Sequence, residues 1–215
     1  SKLYRMGVNM VITGSNAKLL SSEMATLLTG RYIQIEMLPF SLSEFFTWNH
    51  KSLSEAEDNP SDLSLIADYL HHGGYPETVA ARGLTQNYLS TLFDSIIWKD
   101  IAKRHHVRNV DDLNNLAIYL LSNFCNPFSA TALADELGLS SVATTQKYMG
   151  YLREPYLFYY LPRYNNKLKL MKKAPQKVYV VDNGFVEAKA FSVSENLGLL
   201  LENQVFIELI RKGYH

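Results

Sequence analysis

Three polar side chains near the start of the sequence, Thr13, Ser15 and Asn16, have the chemistry to hold a water molecule or a phosphate oxygen. They follow consecutive apolar residues at 10–12, a pattern typical of a strand covered on both faces in a parallel sheet. Open α/β sheets bind their ligands at the carboxyl ends of their strands, so this spacing predicts a ligand-facing strand end. The alternative is that Ser15 and Asn16 only cap the turn that follows.

Arg31 is a second candidate for phosphate chemistry. It lies between a predicted helix end at Gly30 and a predicted strand that begins at Tyr32. An arginine in that place can reach a phosphate bound by a neighbouring subunit, as an arginine finger does. The simpler alternative is a surface or salt-bridged arginine.

Residues 130–153 have the pattern of a helix-turn-helix. The first helix ends at Gly138, which allows the turn, and Ser140 or Ser141 can cap a second helix that runs to about Arg153. Two strands joined by a basic hairpin are predicted next, which makes the motif a winged helix-turn-helix.

The predicted wing is basic, although the formal net charge of the chain is zero. Six basic residues and no acidic ones lie from Arg163 to Lys177. We therefore predict DNA binding, with the second helix facing the groove and the wing on phosphates. The groove residues are Ser141, Thr144, Gln146 and Lys147, and the phosphate residues are Arg163, Lys167, Lys169, Lys172 and Lys173. The alternative is that the module packs against its own chain and these lysines only face solvent.

The remaining acidic residues and histidines of interest do not have the spacing of a metal site. Asp182 ends a predicted strand and Glu202 begins a predicted helix, and two isolated acids do not make a metal site. The histidine pairs at 71–72 and 105–106 lack metal-ligand spacing to a cysteine or a third histidine. We predict that these histidines are surface residues.

The elements that would position these residues begin with strand, helix and strand over the first forty residues, a βαβ unit. A short helix capped by Ser41 or Ser43 follows, and residues 49–62 are polar. After a break at 73–76, two amphipathic helices are predicted. Their apolar stripes contain Leu89, Leu92, Phe93, Ile96, Ile97 and Ile101 in the first and Leu113, Leu116, Ala117, Leu120, Leu121 and Phe124 in the second.

The composition is that of an ordinary globular chain of 215 residues with one cysteine, Cys125. A single cysteine rules out a disulfide framework within the chain, and we predict a cytoplasmic location. No apolar run reaches the length of a membrane span, so no membrane partner is predicted. The sequence contains no G-x-x-x-x-G-K-[ST] loop, which is the motif that cradles nucleotide phosphates.

Several stretches, taken in order, resemble the prokaryotic AAA-type predicted ATPases, P-loop proteins with an uncharacterised C-terminal domain. The ATPase part is carried by Val-Ile-Thr-Gly-Ser-Asn-Ala, Leu-Thr-Gly-Arg-Tyr and Met-Leu-Pro-Phe-Ser-Leu-Ser-Glu-Phe-Phe. The C-terminal part is carried by the winged-helix pattern, by Gly-Gly-Tyr-Pro-Glu at 73–77, by Lys-Val-Tyr-Val-Val-Asp-Asn-Gly at 177–184, and by Gly-Leu-Leu-Leu-Glu-Asn-Gln-Val at 198–205.

The resemblance implies roles and domains. Ser15 and Asn16 would be the sensor at the γ-phosphate, with Thr13 beside them, and Arg31 a finger or sensor arginine. Residues 1–48 would belong to the ATPase core, 49–110 to a helical lid or connector, 111–182 to a winged helix, and 183–215 to the start of a nuclease-like domain. The Walker A and Walker B segments of such an ATPase are missing from this sequence, so the resemblance implies a fragment.

From these patterns we predict an α+β, mostly α-helical chain with a partial α/β P-loop core, a helical lid and a winged helix-turn-helix. The intact protein would use ATP and Mg²⁺ and couple hydrolysis to a DNA or protein partner, while this chain alone would bind no cofactor and be inactive. A homo-oligomer is expected only if Arg31 acts on a neighbouring subunit. The alternatives are a non-enzymatic winged-helix DNA-binding or regulatory protein and a protein-interaction module.

Overall fold

The structure is a computed structural model that describes residues 6–14, 33, 35–55, 60–167, 174–191 and 197–214. The chain divides into two units, Ser1–Gln34 and Ile35–His215. The described residues form many helices and one small sheet, so the prediction of an α+β, mostly helical chain is confirmed.

Within the described residues, the regular elements lie in the second unit and are numbered in chain order. The α-helices are α1 (Leu42–Trp48), α2 (Pro60–His72), α3 (Pro76–Ala80), α4 (Thr85–Ser95), α5 (Val110–Ser122), α6 (Ala130–Glu136), α7 (Val142–Arg153), α8 (Gly184–Lys189) and α9 (Leu197–Arg211). The strands are β1 (Pro127–Phe128), β2 (Phe158–Pro162) and β3 (Gln176–Val180). Short 3₁₀ turns occupy Leu53–Glu55 and Arg82–Leu84, and a π-helical segment, Ile96–Ala102, extends α4.

The strands predicted near the start of the chain are not present in the described residues. Residues 8–14 have no regular structure, and Val11 is 92% exposed. Residues 35–37 are also irregular, with Ile35 77% exposed. A strand is stable only when its backbone groups pair with a neighbour, and no described segment pairs with either stretch. The helix predicted between them lies outside the described residues.

The two predicted apolar stripes form the centre of the main core. Leu89, Phe93 and Ile97 on α4 and its π-helical extension are fully buried, as are Leu113 and Leu116 on α5. These stripes have the spacing that places apolar side chains on one helix face. The two predicted amphipathic helices are therefore confirmed, and their shared core supports the sheet and the helix pair α6 and α7.

The sheet is antiparallel, with strand order β1-β3-β2. In the longer pairing Phe158 lies opposite Val180 and Tyr160 lies opposite Val178. Side chains alternate between faces along a strand, and the buried side chains of Phe158, Val178 and Val180 join the main core. The short strand β1 pairs with the start of β3, and it lies between α5 and α6 in the chain.

Three segments that are distant in sequence meet in a buried hydrogen-bonded cluster, which we call the polar anchor and define as Gly74, Asp182, Asn183, Gly184 and Asn203. Gly74 N donates to Asp182 Oδ2 at 2.7 Å, and Gly184 N donates to Asp182 Oδ1 at 2.9 Å. Asn203 Nδ2 donates to Asn183 Oδ1 at 2.8 Å. A buried polar group is stable only when its partners are present, so the anchor fixes all three segments together.

The anchor extends to the backbone of its neighbours. Asn183 Nδ2 donates to the carbonyl oxygens of Leu70 and Leu200, at 2.9 and 3.0 Å. Asn203 Oδ1 accepts from Val180 N, and its Nδ2 donates to Val180 O, each at 2.9 Å. These bonds connect α2, the end of β3 and α9, since each element supplies at least one backbone group.

Gly184 leaves no room for a side chain. A Cβ at this position would overlap the carbonyl oxygen of His72. We expect Gly184→Ala to lower the free energy of unfolding by about 3 kcal/mol, because overpacking against backbone forces the packed elements apart. Urea denaturation measures the difference.

Gly150→Ala is the matched control, since Gly150 is exposed within α7 and a Cβ there meets nothing within 4 Å. We expect it to raise the free energy of unfolding by about 1 kcal/mol, because alanine has a higher helix propensity than glycine in the interior of a helix. Equal effects of the two substitutions would contradict the close packing described for Gly184.

Candidate nucleic-acid interface

The residues predicted to contact a nucleotide are mostly outside the described part of the chain. Ser15, Asn16 and Arg31 all lie there, so their predicted roles stay predictions. Thr13 is described, and it is exposed in a stretch without regular structure. The structure therefore brings no nucleotide site together among the residues it describes.

The first turn of α7 is stabilised by its N-cap residue, Ser141. Ser141 Oγ accepts a hydrogen bond from Thr144 N at 3.0 Å, which satisfies one of the free N–H groups at a helix start. Ser140 Oγ and Ser141 Oγ each lie 3.0 Å from Thr144 Oγ1. Gly138 has φ +62°, the left-handed conformation that the predicted turn requires. The helix cap at Ser141 and the turn at Gly138 are confirmed.

One face of α7 is open. Its buried side chains are Thr145, Tyr148, Met149 and Leu152. The opposite face presents Gln146, Lys147 and Gly150 to solvent. Gln146 and Lys147 were predicted to face a nucleic-acid groove. Both are exposed, and Lys147 Nζ lies 5.7 Å from the ring centroid of Tyr151. Ser141 is exposed and Thr144 half-buried, and the hydroxyls of both are engaged in the cap.

Strand β2 contacts the end of α7 at one side of this open face. Arg153, at the end of α7, places its guanidinium 5.1 Å from the ring centroid of Tyr160 on β2. In the hairpin that follows, Arg163 and Lys167 are exposed. Lys169, Lys172 and Lys173 lie outside the described residues. Lys177 belongs to the same run in sequence but differs in role, since its Nζ lies 2.7 Å from Glu202 Oε1.

A basic turn, residues 103–108 with the sequence Lys-Arg-His-His-Val-Arg, flanks the other side. The His105 ring stacks on Tyr151 of α7, with 3.7 Å between ring centroids and 10° between planes. His105 Nε2 also lies 2.8 Å from Glu154 Oε2. His105, predicted as a surface residue, is half-buried, and its ring is held by α7 and by the residue that follows α7.

Sequence reasoning missed the position of the basic turn. The cluster of cations is visible in the sequence, but cations at a helix end are also explained by the helix dipole. The stacking of His105 on Tyr151 and its contact with Glu154 show that the turn lies beside α7. Lys103, Arg104, His106 and Arg108 are all exposed.

Glu202 and His72 have partners within the fold. Glu202 Oε1 accepts from Lys177 Nζ and from Tyr179 Oη, at 2.7 and 2.9 Å. His72 lies between two carboxylates, with Nδ1 2.9 Å from Asp68 Oδ1 and Nε2 3.7 Å from Glu187 Oε2. Among the described residues, no three His, Cys, Asp or Glu side chains are arranged to hold a metal ion.

Asp182 is almost completely buried, at 5% exposure. Burial raises the pKa of its carboxyl to about 6, and the hydrogen bonds from Gly74 and Gly184 N–H oppose that rise only in part. The carboxyl is thus committed to the polar anchor and not to a metal ion.

Comparison with known proteins gives the family. The model of the domain of unknown function DUF8612 matches residues 63–195, more than half of the chain, including α7, the sheet and Asp182. The chain belongs to the DUF8612 family. An AAA domain model matches residues 1–46, which supports a P-loop AAA-type segment at that end.

Two curated relatives of this DUF8612 member are described only as uncharacterized proteins. One, from Haemophilus influenzae, is 37% identical over 211 residues, which is 96% of this chain and 52% of the relative. The other, MJ1544 from Methanocaldococcus jannaschii, is 31% identical over 222 residues, which is 99% of this chain and 49% of the relative. The chain spans about half the length of these relatives. No solved structure matches it.

Neither comparison bears on the domain limits predicted at 48, 110 and 182, and the nuclease-like domain from 183 stays a prediction. Of the helices in the described part of the chain, none has the length and apolar character that a membrane crossing requires.

The raised pKa of Asp182 has a consequence for stability. The folded chain holds this proton more tightly than the unfolded chain. The part of the free energy of unfolding that depends on this proton is therefore present at low pH and is lost as the pH rises through about 6, while the hydrogen bonds from Gly74 and Gly184 remain. We expect the stability advantage of the wild type over Asp182→Asn to be about 1 kcal/mol larger at pH 5 than at pH 7.5.

Urea denaturation at both pH values measures this difference. The control is Asp135→Asn, which makes the same change of side chain at an exposed position of α6, outside the polar anchor. An Asp182→Asn deficit that grows with pH would reverse the sign and contradict the burial argument.

Proposed function

We propose that residues 110–180 form a winged helix that binds duplex DNA through the open face of α7. The order α5, β1, α6, α7, β2, β3 and the sheet order β1-β3-β2 support this assignment. The observation that carries the proposal is the exposed α7 face with Gln146 and Lys147, which has a cationic flank on each side.

The chemistry of this face suits the major groove. A helix of ordinary width fits that groove. A glutamine can bond an adenine edge and a lysine a guanine edge, which gives Gln146 and Lys147 the means to read bases. Ser141 and Thr144 lie at the helix start that would face the groove, where their mutual hydrogen bonds fix the first turn of α7. Arg163 and Lys167 then supply phosphate contacts from the wing, as do Lys169, Lys172 and Lys173 in this proposal.

We expect Lys147→Ala to lower the affinity for a 20-base-pair duplex about tenfold at 0.1 M salt, because it removes a charged contact in the groove. Fluorescence anisotropy over a range of salt concentrations measures the affinity. Lys212→Ala, which removes an equal charge from the exposed residue after α9, is the control and should bind like the wild type. If the wild type, Lys147→Ala and Lys212→Ala bind DNA with the same affinity, α7 is not the DNA-binding helix.

The intact protein, in this proposal, is an AAA-type P-loop ATPase that binds ATP and Mg²⁺ and couples hydrolysis to the DNA-bound winged helix. The AAA match at residues 1–46 and the greater length of the relatives support it. Asn16 and Ser15 would orient the attacking water with Thr13 beside them, and Arg31 would stabilise charge on the transferred phosphate. Residues 49–110 would connect the ATPase core to the winged helix.

For the 215-residue chain alone, we expect no ATP hydrolysis above the rate without protein, because its sequence lacks the phosphate-cradling loop. Phosphate release measures this. In the intact protein we expect hydrolysis that falls at least a thousandfold on Arg31→Ala, since an arginine finger contributes about 10³ or more to the rate. Mutation-sensitive hydrolysis by the 215-residue chain would contradict the division of roles.

A second candidate function, a protein-interaction module without a nucleic-acid partner, is favoured by exposed apolar side chains. Tyr164 in the wing hairpin is 82% exposed. The outer face of α9 carries Leu197, Leu201, Val205 and Leu209 at four-residue intervals, all exposed, and contiguous apolar surface of this kind is typical of protein contacts. The salt titration separates the two functions, because this candidate predicts no salt-dependent binding to the duplex.

A further inference from the structure

We infer that the basic turn, residues 103–108, is a second phosphate-contacting element, which binds the DNA backbone on the side of the groove opposite the wing. This inference rests on the proposed function of α7. It adds Lys103, Arg104 and Arg108 to the interface, none of which lies in the helix-turn-helix or in the wing.

The basic turn and the wing lie on opposite flanks of α7. Successive residues of an α-helix are rotated by about 100°, so Tyr151 and Arg153 project from nearly opposite sides of the helix. His105 stacks on Tyr151, while Arg153 lies over Tyr160 on β2. By the same rotation, Gln146, Lys147 and Gly150 lie between these two flanks.

The basic turn is held in place at both ends. His105 N donates to Ile101 O at 2.9 Å, and Val107 N donates to Ala102 O at 3.0 Å, so the backbone is tied to the π-helical segment. On its other side, the Tyr148 hydroxyl of α7 lies 3.5 Å from Asn109 O. A turn fixed in this way presents its charges without the entropy cost of ordering a loose loop.

The charges of the basic turn are available to a ligand. Lys103, Arg104 and Arg108 are exposed, and none has an ion-pair partner among the described residues. The closest acidic residues along the following helix, Asp111 and Asp112, lie in the first turn of α5, where they complement its dipole. By contrast Lys177, Lys189 and Arg211 are each paired with a carboxylate. The chain as a whole has zero formal net charge, so these unpaired cations concentrate positive charge at the basic turn.

The geometry of duplex DNA explains why two cationic flanks are useful. The major groove is about 12 Å wide, close to the diameter of a helix with its side chains, so a phosphate backbone runs along each side of an inserted helix. The wing would meet one backbone and the basic turn the other. A single-stranded partner has only one backbone and would leave one flank without a phosphate.

The test compares the wild type with the triple variant Lys103→Ala, Arg104→Ala, Arg108→Ala, which keeps His105 and its stack on Tyr151. The probe is a random-sequence 20-base-pair DNA duplex, with the affinity measured by anisotropy from 0.05 to 0.3 M salt. We expect the slope of log affinity against log salt to fall by roughly 0.9 for each phosphate that the variant no longer neutralises, which is about eightfold in affinity per phosphate at 0.1 M salt. Lys212→Ala is the control, and thermal unfolding checks that the triple variant is folded.

The outcomes are distinct. A wild type that does not bind the duplex overturns the proposed function and this inference with it. A wild type that binds, is weakened by Lys147→Ala and is unaffected by the triple substitution overturns this inference alone. A loss as large on single-stranded DNA of the same length overturns the placement across a groove. A lower slope on the duplex, with a smaller loss on the single strand, supports the inference.

Discussion

The carboxylate of Asp182 is the interaction on which the architecture of the second unit depends. It accepts hydrogen bonds from the backbone of Gly74, after α2, and of Gly184, at the start of α8. A buried carboxylate without such donors would be strongly destabilising. The close approach of these backbones is possible only because residues 73, 74 and 184 are glycines, since a Cβ at any of these positions would overlap a neighbouring polar atom.

The anchor also explains how the helical part of the unit and the sheet are held together. Asn203 binds both backbone groups of Val180 at the end of β3, and Gln204 Nε2 donates to the Tyr69 hydroxyl at 2.6 Å. That hydroxyl in turn donates to Phe40 O at 2.7 Å. These bonds connect α9, α2 and the segment before α1 through side chains that the core excludes from water. Polar residues give this fold its unique pairing of elements, while apolar ones supply most of the burial.

Zero net charge does not exclude binding to a polyanion. Some cations of this chain are neutralised in ion pairs, such as Lys189 with Asp94 and Lys177 with Glu202. Among the described residues, Lys103, Arg104, Lys147 and Arg108 around α7 have no such ion pair. The potential at a surface depends on the charges near it and on little beyond a Debye length. Local charge is therefore a better guide to the partner of this DUF8612 domain than its isoelectric point.

The sequence by itself determined the elements whose signals are local. The apolar stripes of α4 and α5, the Ser141 cap and the turn at Gly138 could all be predicted, because helix periodicity, capping and left-handed glycine turns depend on residues within a few positions of one another. The same local logic was wrong for residues 8–12, since a strand depends on a partner that the sequence pattern does not show. Only the tertiary structure decided that Asp182 is bound to Gly74, 108 residues away in sequence, and that the basic turn lies beside α7. Such contacts follow from how separate elements pack, and that packing is not visible in a pattern that extends over only a few neighbouring residues.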